Sequence, residues 1–253
     1  MLLPRIIPCL LLSGQGLVKG QKFKEHVYIG DPSNAAQIFN TKQADEIIFL
    51  DIKATFEKRI PDVRLVQRVT NECLLPFTVG GGLRSVDDMR AMLNAGAEKV
   101  CVCSAAVEKP QIIDQGAKLF GSQCVVVAID VKKNLWGRPE VCIHSGTRAT
   151  GLSPVQHAVA MEKLGAGELL LNSIDRDGVM QGYDLELVRD IVRAVNVPVI
   201  ACGGCGSLDD LKKVIAAGAS AAAAGSMFVL HGRKRAVLIS YPSQRELVDI
   251  RGA

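Results

Sequence analysis

Apolar and amphipathic segments alternate along the whole chain. Eight short runs are almost entirely apolar, and each is followed by a stretch in which apolar and polar residues mix. Runs without polar alternation are typical of parallel strands that are covered by helices on both faces. We therefore predict strands at 5–12, 46–52, 76–80, 99–103, 124–130, 168–174, 198–202 and 221–225.

The segments between these runs carry helix signals. Several begin with Ser or Asp ahead of acidic residues, which is a pattern of helix N-termini. Eight strand–helix units in 253 residues match a closed (β/α)8 barrel of the TIM type, whose chemistry lies on the loops after the strands. An open doubly wound sheet is the alternative. The clearest predicted helices are 62–74, 85–95, 153–164, 184–195 and 207–217.

An internal repeat favours the barrel. Segment 198–229 aligns without a gap with segment 76–107, which lies 122 positions earlier, and 11 of the 32 residues are identical. The identities include a glycine pair and a Ser-x-Asp-Asp motif, which low complexity alone does not easily produce. We predict a single barrel domain over 1–253, built from half-repeats at about 1–122 and 123–253. An open sheet would not explain why the two halves of the chain repeat the same order of strands and helices at a constant spacing.

Two connections are unusually long. Segment 13–30 follows the first strand and is rich in glycine and lysine, which favours a flexible cationic lid with Lys19 as a catalytic candidate; a plain solvated loop is the alternative. Segment 132–151 follows the fifth strand. Its sequence PEVCIHSG predicts an extra strand in a small hairpin.

Composition and charge restrict the possible partners. The chain is 48% apolar, enough for one large core, and its net charge of +4 suits anionic small molecules. No basic run is interleaved with aromatic residues, which argues against nucleic acid. The apolar start is interrupted by Arg5 and two prolines and is too short to span a bilayer. We expect a first strand there, no membrane insertion and a cytoplasmic protein.

The eight cysteines lie mostly inside apolar runs, where a free thiol packs as a small hydrophobe. This usage is typical of the reducing cytosol. Cys202 and Cys205 have the spacing of a redox or metal pair, but no second pair or nearby histidine completes a zinc set. We therefore expect structural cysteines, no metal site and no cofactor.

Two glycine turns are candidate anion sites. Gly81-Gly82 and Gly203-Gly204 let backbone N–H groups approach a ligand, while Ser104 and Gly225-Ser226 begin short helices after the next strands. A barrel usually holds phosphate after strands seven and eight, and the repeat supplies a second site after strands three and four. Two opposed sites suit a substrate with a phosphate at each end. The alternative is that the glycines serve only the turns.

Three carboxylates at strand ends are candidate acids and bases, namely Asp51, Asp130 and Asp177. Asp130 ends a buried run, so partial burial would raise its pKa. An ion pair with a lid lysine is the structural alternative for Asp130.

Four charged residues precede strands at the opposite end of the predicted barrel. A charged ring there is costly unless its members are paired, so we predict a salt-bridged plug. Physical reasoning alone leaves open whether the plug seals the core or opens as a gate. Its members are Arg5, Glu46, Lys99 and Glu168.

The motifs RIIPCL, FLDI, PFTVGGG, VVVAID and SIDRDG resemble the cyclase subunit of imidazole glycerol phosphate synthase, up to about residue 228. The resemblance implies a half-repeat (β/α)8 barrel that binds a substrate with two phosphates. It also implies ammonia delivery through the barrel from a glutaminase subunit at the N-terminal face. On this basis the charged plug is an ammonia gate and Asp130 is one of two catalytic aspartates. The implied phosphate-site residues are Gly82, Gly178, Gly204 and Ser226.

The chain departs from this family in the first strand. The family pattern is Cys-Leu-Asp-Val, whereas this chain has Leu at position 11. Between the two halves, Cys9-Leu10-Leu11 occupies the place that Ala128-Ile129-Asp130 has 119 positions later, so Leu11 corresponds to Asp130. Cyclisation needs an acid and a base, and leucine transfers no proton. The family's Asn-Thr at the first phosphate loop is Cys103-Ser104 here, which would weaken that site.

The segments IPCLLL and GQGLVKG and the tail FVLHG resemble a sister family, the cyclase-like proteins of acetamidino-sugar formation. There the barrel works with a glutaminase and an ATP-dependent amidotransferase on a nucleotide-linked surface sugar of the lipopolysaccharide type. The leading hypothesis is therefore an ammonia-delivering subunit. The alternatives are an active cyclase-lyase of histidine synthesis with a relocated acid, and a catalytically silent scaffold that activates a glutaminase.

Overall fold

The computed structural model describes residues 3–232 and 234–252. Its strands are β1 (Arg5–Ser13), β2 (Gly16–Gln21), β3 (Lys24–Gly30), β4 (Ile47–Asp51), β5 (Phe77–Gly80), β6 (Lys99–Val102), β7 (Val125–Lys133), β8 (Pro139–Ile143), β9 (Arg148–Ala149), β10 (Glu168–Ser173), β11 (Val199–Cys202), β12 (Ala221–Ala224), β13 (Leu230–His231) and β14 (Ala236–Val237). Its helices are α1 (Pro32–Thr41), α2 (Val63–Glu72), α3 (Val86–Asn94), α4 (Ser104–Glu108), α5 (Gln111–Phe120), α6 (Pro154–Lys163), α7 (Leu185–Ala194), α8 (Leu208–Ala216), α9 (Ser226–Val229) and α10 (Gln244–Arg251), with a 3-10 turn at Ser122–Cys124.

Eight parallel strands close into a barrel. Their order is β1, β4, β5, β6, β7, β10, β11 and β12, and β12 pairs back with β1 from Arg5 opposite Ala221 to Pro8 opposite Ala224. The predicted (β/α)8 barrel is therefore confirmed, and all eight predicted strands are present. The pairing of the last strand with the first excludes the open doubly wound sheet.

The five predicted helices are also present, as α2, α3, α6, α7 and α8. Their N-termini are capped as the sequence predicts. Ser85 accepts a hydrogen bond from the Asp88 N–H, and Ser207 accepts one from the Asp210 N–H. These caps satisfy backbone groups that a helix leaves unpaired at its start. The two aligned segments thus share their local structure, and the half-repeat origin remains a prediction.

The barrel interior is apolar, and its upper part is lined by small side chains. Ile7, Ile48 and Val126 are fully buried inside the barrel. Nearer the C-terminal ends of the strands, the inward residues include cysteine and alanine, which leave unfilled space above the packed layer. The small residues that line this space are Cys9, Ala128, Cys202 and Ala223.

Two hairpins extend from the top of the barrel. In the first, β2 pairs antiparallel with β1, and β3 pairs with β2, so segment 13–30 forms a two-stranded hairpin that the sequence did not predict. Its outer strand buries little, which explains why no hydrophobic pattern revealed it. In the second hairpin, β8 pairs with β7 and confirms the predicted extra strand.

The cysteines and the helices have two further properties. All eight cysteines are free thiols, as their placement in apolar runs suggests.

No helix within residues 3–232 and 234–252 is long and apolar enough to cross a membrane.

Candidate functional site

A cavity of about 300 Å³ opens at the C-terminal ends of the barrel strands. Most of the residues predicted from the sequence meet there, although they come from distant parts of the chain. They are Lys19, Asp51, Gly81, Ser104, Asp130, Asp177, Gly178, Gly204, Gly225 and Ser226.

Gly82 packs against a neighbouring loop rather than lining the cavity. Its φ is +68°, and a Cβ there would lie 2.1 Å from the carbonyl oxygen of Arg59. Glycine at this position therefore lets the loop between β4 and α2 approach closely. A role for Gly82 in phosphate binding stays a prediction.

Both carboxylate oxygens of Asp51 are hydrogen-bonded or ion-paired within the loop after β4. Its Oδ1 accepts hydrogen bonds from the N–H groups of Lys53 and Ala54 across 3.0 and 3.1 Å. Its Oδ2 lies 2.6 Å from a guanidinium nitrogen of Arg59. These contacts fix the loop after β4, and they leave Asp51 poorly suited to the acid–base role predicted for it.

Lys19 and Asp177 form a buried ion pair at the mouth of the cavity. Lys19 Nζ donates to the two carboxylate oxygens of Asp177 across 2.9 and 3.1 Å. The predicted lid residue therefore belongs to the first hairpin and joins it to the loop after β10.

Of the three candidate carboxylates at the strand ends, Asp130 is the one that has no salt bridge within the described residues. Its Oδ2 accepts from the Cys103 thiol across 3.5 Å, and its Oδ1 accepts from Asn172 Nδ2 across 3.3 Å. Burial raises the pKa of Asp130 to about 6, although these two hydrogen bonds partly oppose the rise. A carboxyl that titrates near neutrality can both accept and release a proton. The alternative predicted for it, an ion pair with a lid lysine, is wrong because Lys19 pairs with Asp177.

Leu11 also lines the cavity, at the end of the barrel part of β1. It is 8% exposed, and it pairs with Leu50 of β4 and Val18 of β2. The side chain that corresponds to Asp130 in the first half thus contributes an apolar surface to the cavity wall.

The two candidate phosphate sites differ in what their serines contact. The Ser226 hydroxyl is buried and has no hydrogen-bond partner in the described residues. The Ser104 hydroxyl instead accepts from the His144 N–H across 2.9 Å. A buried hydroxyl without a partner is costly unless a ligand or water satisfies it. The site after β11 and β12 is therefore the more available to an anion.

Gly204 and Gly225 line the cavity at this second site, and each packs closely against the backbone of a neighbouring segment. A Cβ on Gly204 would lie 2.2 Å from the carbonyl oxygen of Gly182, and its φ is +113°. A Cβ on Gly225 would lie 2.8 Å from the carbonyl oxygen of Cys9. Both positions require glycine for these approaches.

The charged plug lies at the opposite end of the barrel, as predicted. Arg5 pairs with both Glu46 and Glu168. Lys99 Nζ lies 2.9 Å from an oxygen of Glu46 and 3.1 Å from an oxygen of Glu168. Thr78 adds a hydrogen bond of 2.8 Å to Glu46. Two cations and two carboxylates thus form a neutral ring that closes the N-terminal end.

Asn172 is a cavity residue that the sequence reasoning missed. It lies opposite Asp130 in the paired strands β7 and β10. The signal was present, because inward positions alternate from Glu168 through Leu170 to 172. Phe23 and His26 also line the cavity, and they were missed because no hairpin was predicted for segment 13–30.

Within residues 3–232 and 234–252, no group of three or more His, Cys, Asp or Glu side chains is placed to hold a metal ion. Cys202 lies in the cavity wall, and Cys205 lies next to Met227, with 3.2 Å between the two sulfur atoms.

Comparison with known proteins identifies the family. Residues 5–234 match the family described as histidine biosynthesis protein. The chain belongs to this family. It is 50% identical over 251 residues to the Leptospira interrogans protein named "Putative imidazole glycerol phosphate synthase subunit HisF", covering 97% of this chain and 98% of the relative.

Two other relatives carry the name of the same synthase subunit. A Pseudomonas aeruginosa protein named "Putative imidazole glycerol phosphate synthase subunit hisF2" is 48% identical over 244 residues, covering 96% of this chain and 97% of that protein. The Lactococcus lactis subsp. cremoris protein named "Imidazole glycerol phosphate synthase subunit HisF" is 50% identical over 215 residues, covering 85% and 83%. The chain is thus a HisF-family barrel, as its motifs suggest.

Proposed function

We propose that this HisF-family barrel receives ammonia from a glutaminase subunit and passes it to a separate acceptor reaction. In that reaction an ATP-dependent amidotransferase converts the N-acetyl group of a nucleotide-linked surface-polysaccharide sugar into an acetamidino group, with ammonia replacing the amide oxygen that ATP activates. The observation that carries the proposal is Leu11, which is 8% exposed in the cavity wall at the position that corresponds to Asp130 in the second half. A barrel with one carboxylate of an acid–base pair is poorly equipped to close an imidazole ring by itself.

The path for ammonia would run along the barrel axis. It begins at the neutral ring of Arg5, Glu46, Lys99 and Glu168, where the glutaminase docks in this proposal. It continues past the small residues Cys9 and Ala223 into the cavity. The unpartnered hydroxyl of Ser226 and the turn at Gly204 would hold a phosphate of the nucleotide-linked acceptor or of its enzyme-bound form.

An active histidine-pathway cyclase is the second candidate, and the names of the relatives favour it. One assay separates the two. The purified chain would be given an ammonium salt and the two-phosphate ribulosyl substrate of the histidine pathway. We expect no turnover, and formation of imidazole glycerol phosphate would overturn the proposal.

Leu11→Asp and its isosteric control Leu11→Asn sharpen this assay. Aspartate would restore the second carboxylate, whereas asparagine has a similar volume and transfers no proton. We expect a trace of imidazole glycerol phosphate from the aspartate variant and none from the control. An active wild type that is unaffected by either change would point to an acid elsewhere in the cavity.

A third assay separates ammonia transfer from a silent scaffold. Ala223→Leu fills the upper barrel, while Ala222→Val, on the outward face of the same strand, is the control. With the glutaminase and amidotransferase present, the leucine variant should lose acetamidino product from glutamine and retain it from added ammonium salt. A scaffold would give equal product from both nitrogen sources in both variants.

The same assembly tests the docking face. Lys99→Glu reverses one charge of the ring and should abolish glutaminase capture. Capture that equals the wild-type level would place the docking surface elsewhere.

A further inference from the structure

The second hairpin has an exposed apolar turn that projects beyond the end of the barrel. Strand β7 continues past Asp130 to Lys133, so about 13 Å of strand separates Asp130 from the turn at Asn134. Leu135 in this turn is fully exposed, and Trp136 is 86% exposed. Large apolar side chains that lie together on a projecting turn are typical of a contact site for another molecule.

Hydrogen bonds fix the shape of this turn. Asn134 Oδ1 accepts from the N–H groups of Trp136 and Arg138 across 3.0 and 3.1 Å. The Asn134 N–H donates to the Arg138 carbonyl oxygen, and the Gly137 N–H donates to the Asn134 carbonyl oxygen, both across 2.9 Å. Binding through an ordered turn costs less conformational entropy than binding through a flexible one. The turn therefore presents Leu135 and Trp136 in a conformation that is already suited to contact.

Three segments meet around the mouth of the cavity, and we call them the rim. They are 14–30, 52–61 and 132–151, which follow β1, β4 and β7. Each segment contributes residues to the cavity wall. The Ser145 hydroxyl donates to the Ile52 carbonyl oxygen across 3.3 Å, and a Cβ on Gly146 would lie 3.0 Å from the Phe23 ring. The exposed turn belongs to this rim, so a protein that contacts the turn lies next to the cavity mouth.

The rim is strongly basic. Its three segments contain ten Lys and Arg residues and three Asp and Glu residues, whereas the rest of the chain contains 20 and 23. Six exposed cations of the rim have no salt bridge within the described residues; they are Lys22, Lys24, Lys53, Lys58, Lys132 and Arg138. An unpaired basic surface of this kind attracts a partner with an acidic surface.

The position of the rim selects the partner. In the proposed function, ammonia enters through the charged ring and leaves through the cavity mouth. Ammonia released there would escape into water unless the enzyme that consumes it covers the mouth. An anionic bilayer would also attract the basic rim, but it contains no acceptor for the nitrogen.

We propose that the rim is the docking surface for the ATP-dependent amidotransferase, with Leu135 and Trp136 as its apolar anchor. The amidotransferase contributes an acidic surface and an apolar pocket for the anchor. The identity of this partner rests on the proposed function. A tryptophan at the centre of a contact commonly supplies a large share of the binding energy, and the surrounding charges orient the approach.

The test uses the single tryptophan of the chain as a reporter. The full chain is produced with 5-fluorotryptophan, so its fluorine-19 NMR spectrum reports on Trp136 alone. Purified amidotransferase with ordinary tryptophan is titrated into it, and vesicles of phosphatidylglycerol and phosphatidylcholine are titrated in parallel. We expect a saturable shift of the fluorine signal with the amidotransferase and none with the vesicles. No response to the amidotransferase, or a response to the vesicles alone, would overturn the proposal.

Leu135→Ser weakens the anchor and keeps the reporter. Val248→Ser, on the exposed surface of α10, is the matched control. We expect at least tenfold weaker binding of the amidotransferase in the Leu135 variant and wild-type affinity in the control. Both residues are exposed, so neither change should affect folding. Equal affinity of the two variants would place the docking surface elsewhere.

A charge reversal tests the basic part of the rim. Lys132→Glu combined with Arg138→Glu should weaken binding at least tenfold at low salt, whereas Lys163→Glu on α6 should leave it unchanged. Raising the salt concentration should narrow the difference, because salt screens charges on the surface. Wild-type affinity of the double variant at low salt would contradict an acidic partner surface.

The product assays separate this surface from the proposed function. If the wild type and Leu135→Ser give equal acetamidino product from glutamine and the fluorine signal does not move, the docking surface is wrong and the function stands. Imidazole glycerol phosphate from the wild type would overturn the function. The fluorine titration involves no reaction, so it would still decide whether the rim binds the amidotransferase.

Discussion

Lys19 of the first hairpin is joined to Asp177 after β10 by an ion pair at the mouth of the cavity. The lysine is 4% exposed, and Asp177 is its salt-bridge partner among the described residues. The Lys22 N–H also donates to the Asp177 carbonyl oxygen across 2.8 Å. The hairpin is thereby fastened to the opposite side of the cavity mouth and helps to enclose the space above the barrel.

Asp177→Asn should therefore destabilise the protein strongly. It leaves the Lys19 ammonium buried without a counter-charge, which typically costs about 3–5 kcal/mol. Adding Lys19→Met should recover part of the loss, because the uncompensated charge is then gone. Urea unfolding of the two single variants and the double variant measures the coupling. Asp114→Asn breaks the exposed pair with Lys118 and should cost less than about 1 kcal/mol. Additive single changes would contradict a close ion pair.

The raised pKa of Asp130 predicts a pH-dependent stability difference. Burial moves this pKa from its ordinary value of 3.8 to about 6 in the folded state. Between these values the unfolded chain has lost the proton and the folded chain has kept it, so stability falls as pH rises and becomes constant above about pH 6.

Asp130→Asn removes this contribution, so comparison with the wild type isolates it. The stability of the variant relative to the wild type should increase between pH 4 and pH 7, by about 3 kcal/mol at most. Urea unfolding at several pH values gives the difference, in which the other titrating groups cancel. A difference that does not change with pH would show that the carboxylate is ionised in the fold at all of these values.

The barrel was predictable because its strands are buried on both faces and leave continuous apolar runs. The hairpin at 13–30 was not, because β3 is largely exposed and leaves no such pattern. In the site, the carboxyl of Asp130 was predictable from its place at the end of a strand. The pairing of Asp51 with Arg59 depends on how the loop after β4 folds back, which strand periodicity does not encode. Asn172 could have been found by continuing the inward alternation of β10 by one step.

The charged ring predicts a large effect of Lys99→Met. Glu46 is 1% exposed, and the change would leave it and Glu168 with Arg5 as their one remaining cation in the ring. We expect a loss of about 3–5 kcal/mol. Adding Glu168→Gln should recover part of it by restoring neutrality. Urea unfolding measures both, with the exposed Lys163→Met as control. If Lys99→Met were as stable as the control, the ring would contribute no net electrostatic stabilisation.

Gly204→Ala and Gly151→Ala form a matched pair that separates backbone strain from a collision at the proposed phosphate site. Both glycines have positive φ, at +113° and +72°, so alanine is strained at both. Only at position 204 would the new Cβ meet backbone, 2.2 Å from the Gly182 oxygen, whereas nothing lies within 4 Å at position 151. We expect both variants to lose about 1–2 kcal/mol from strain, measured by urea unfolding, and Gly204→Ala to lose more. Calorimetric titration with inorganic phosphate should show binding weakened at least tenfold in Gly204→Ala and unchanged in Gly151→Ala, because a shifted turn no longer presents its N–H groups to the anion. Equal phosphate affinity in the two variants would mean that the turn at Gly204 serves only the packing of the loop that contains Gly182.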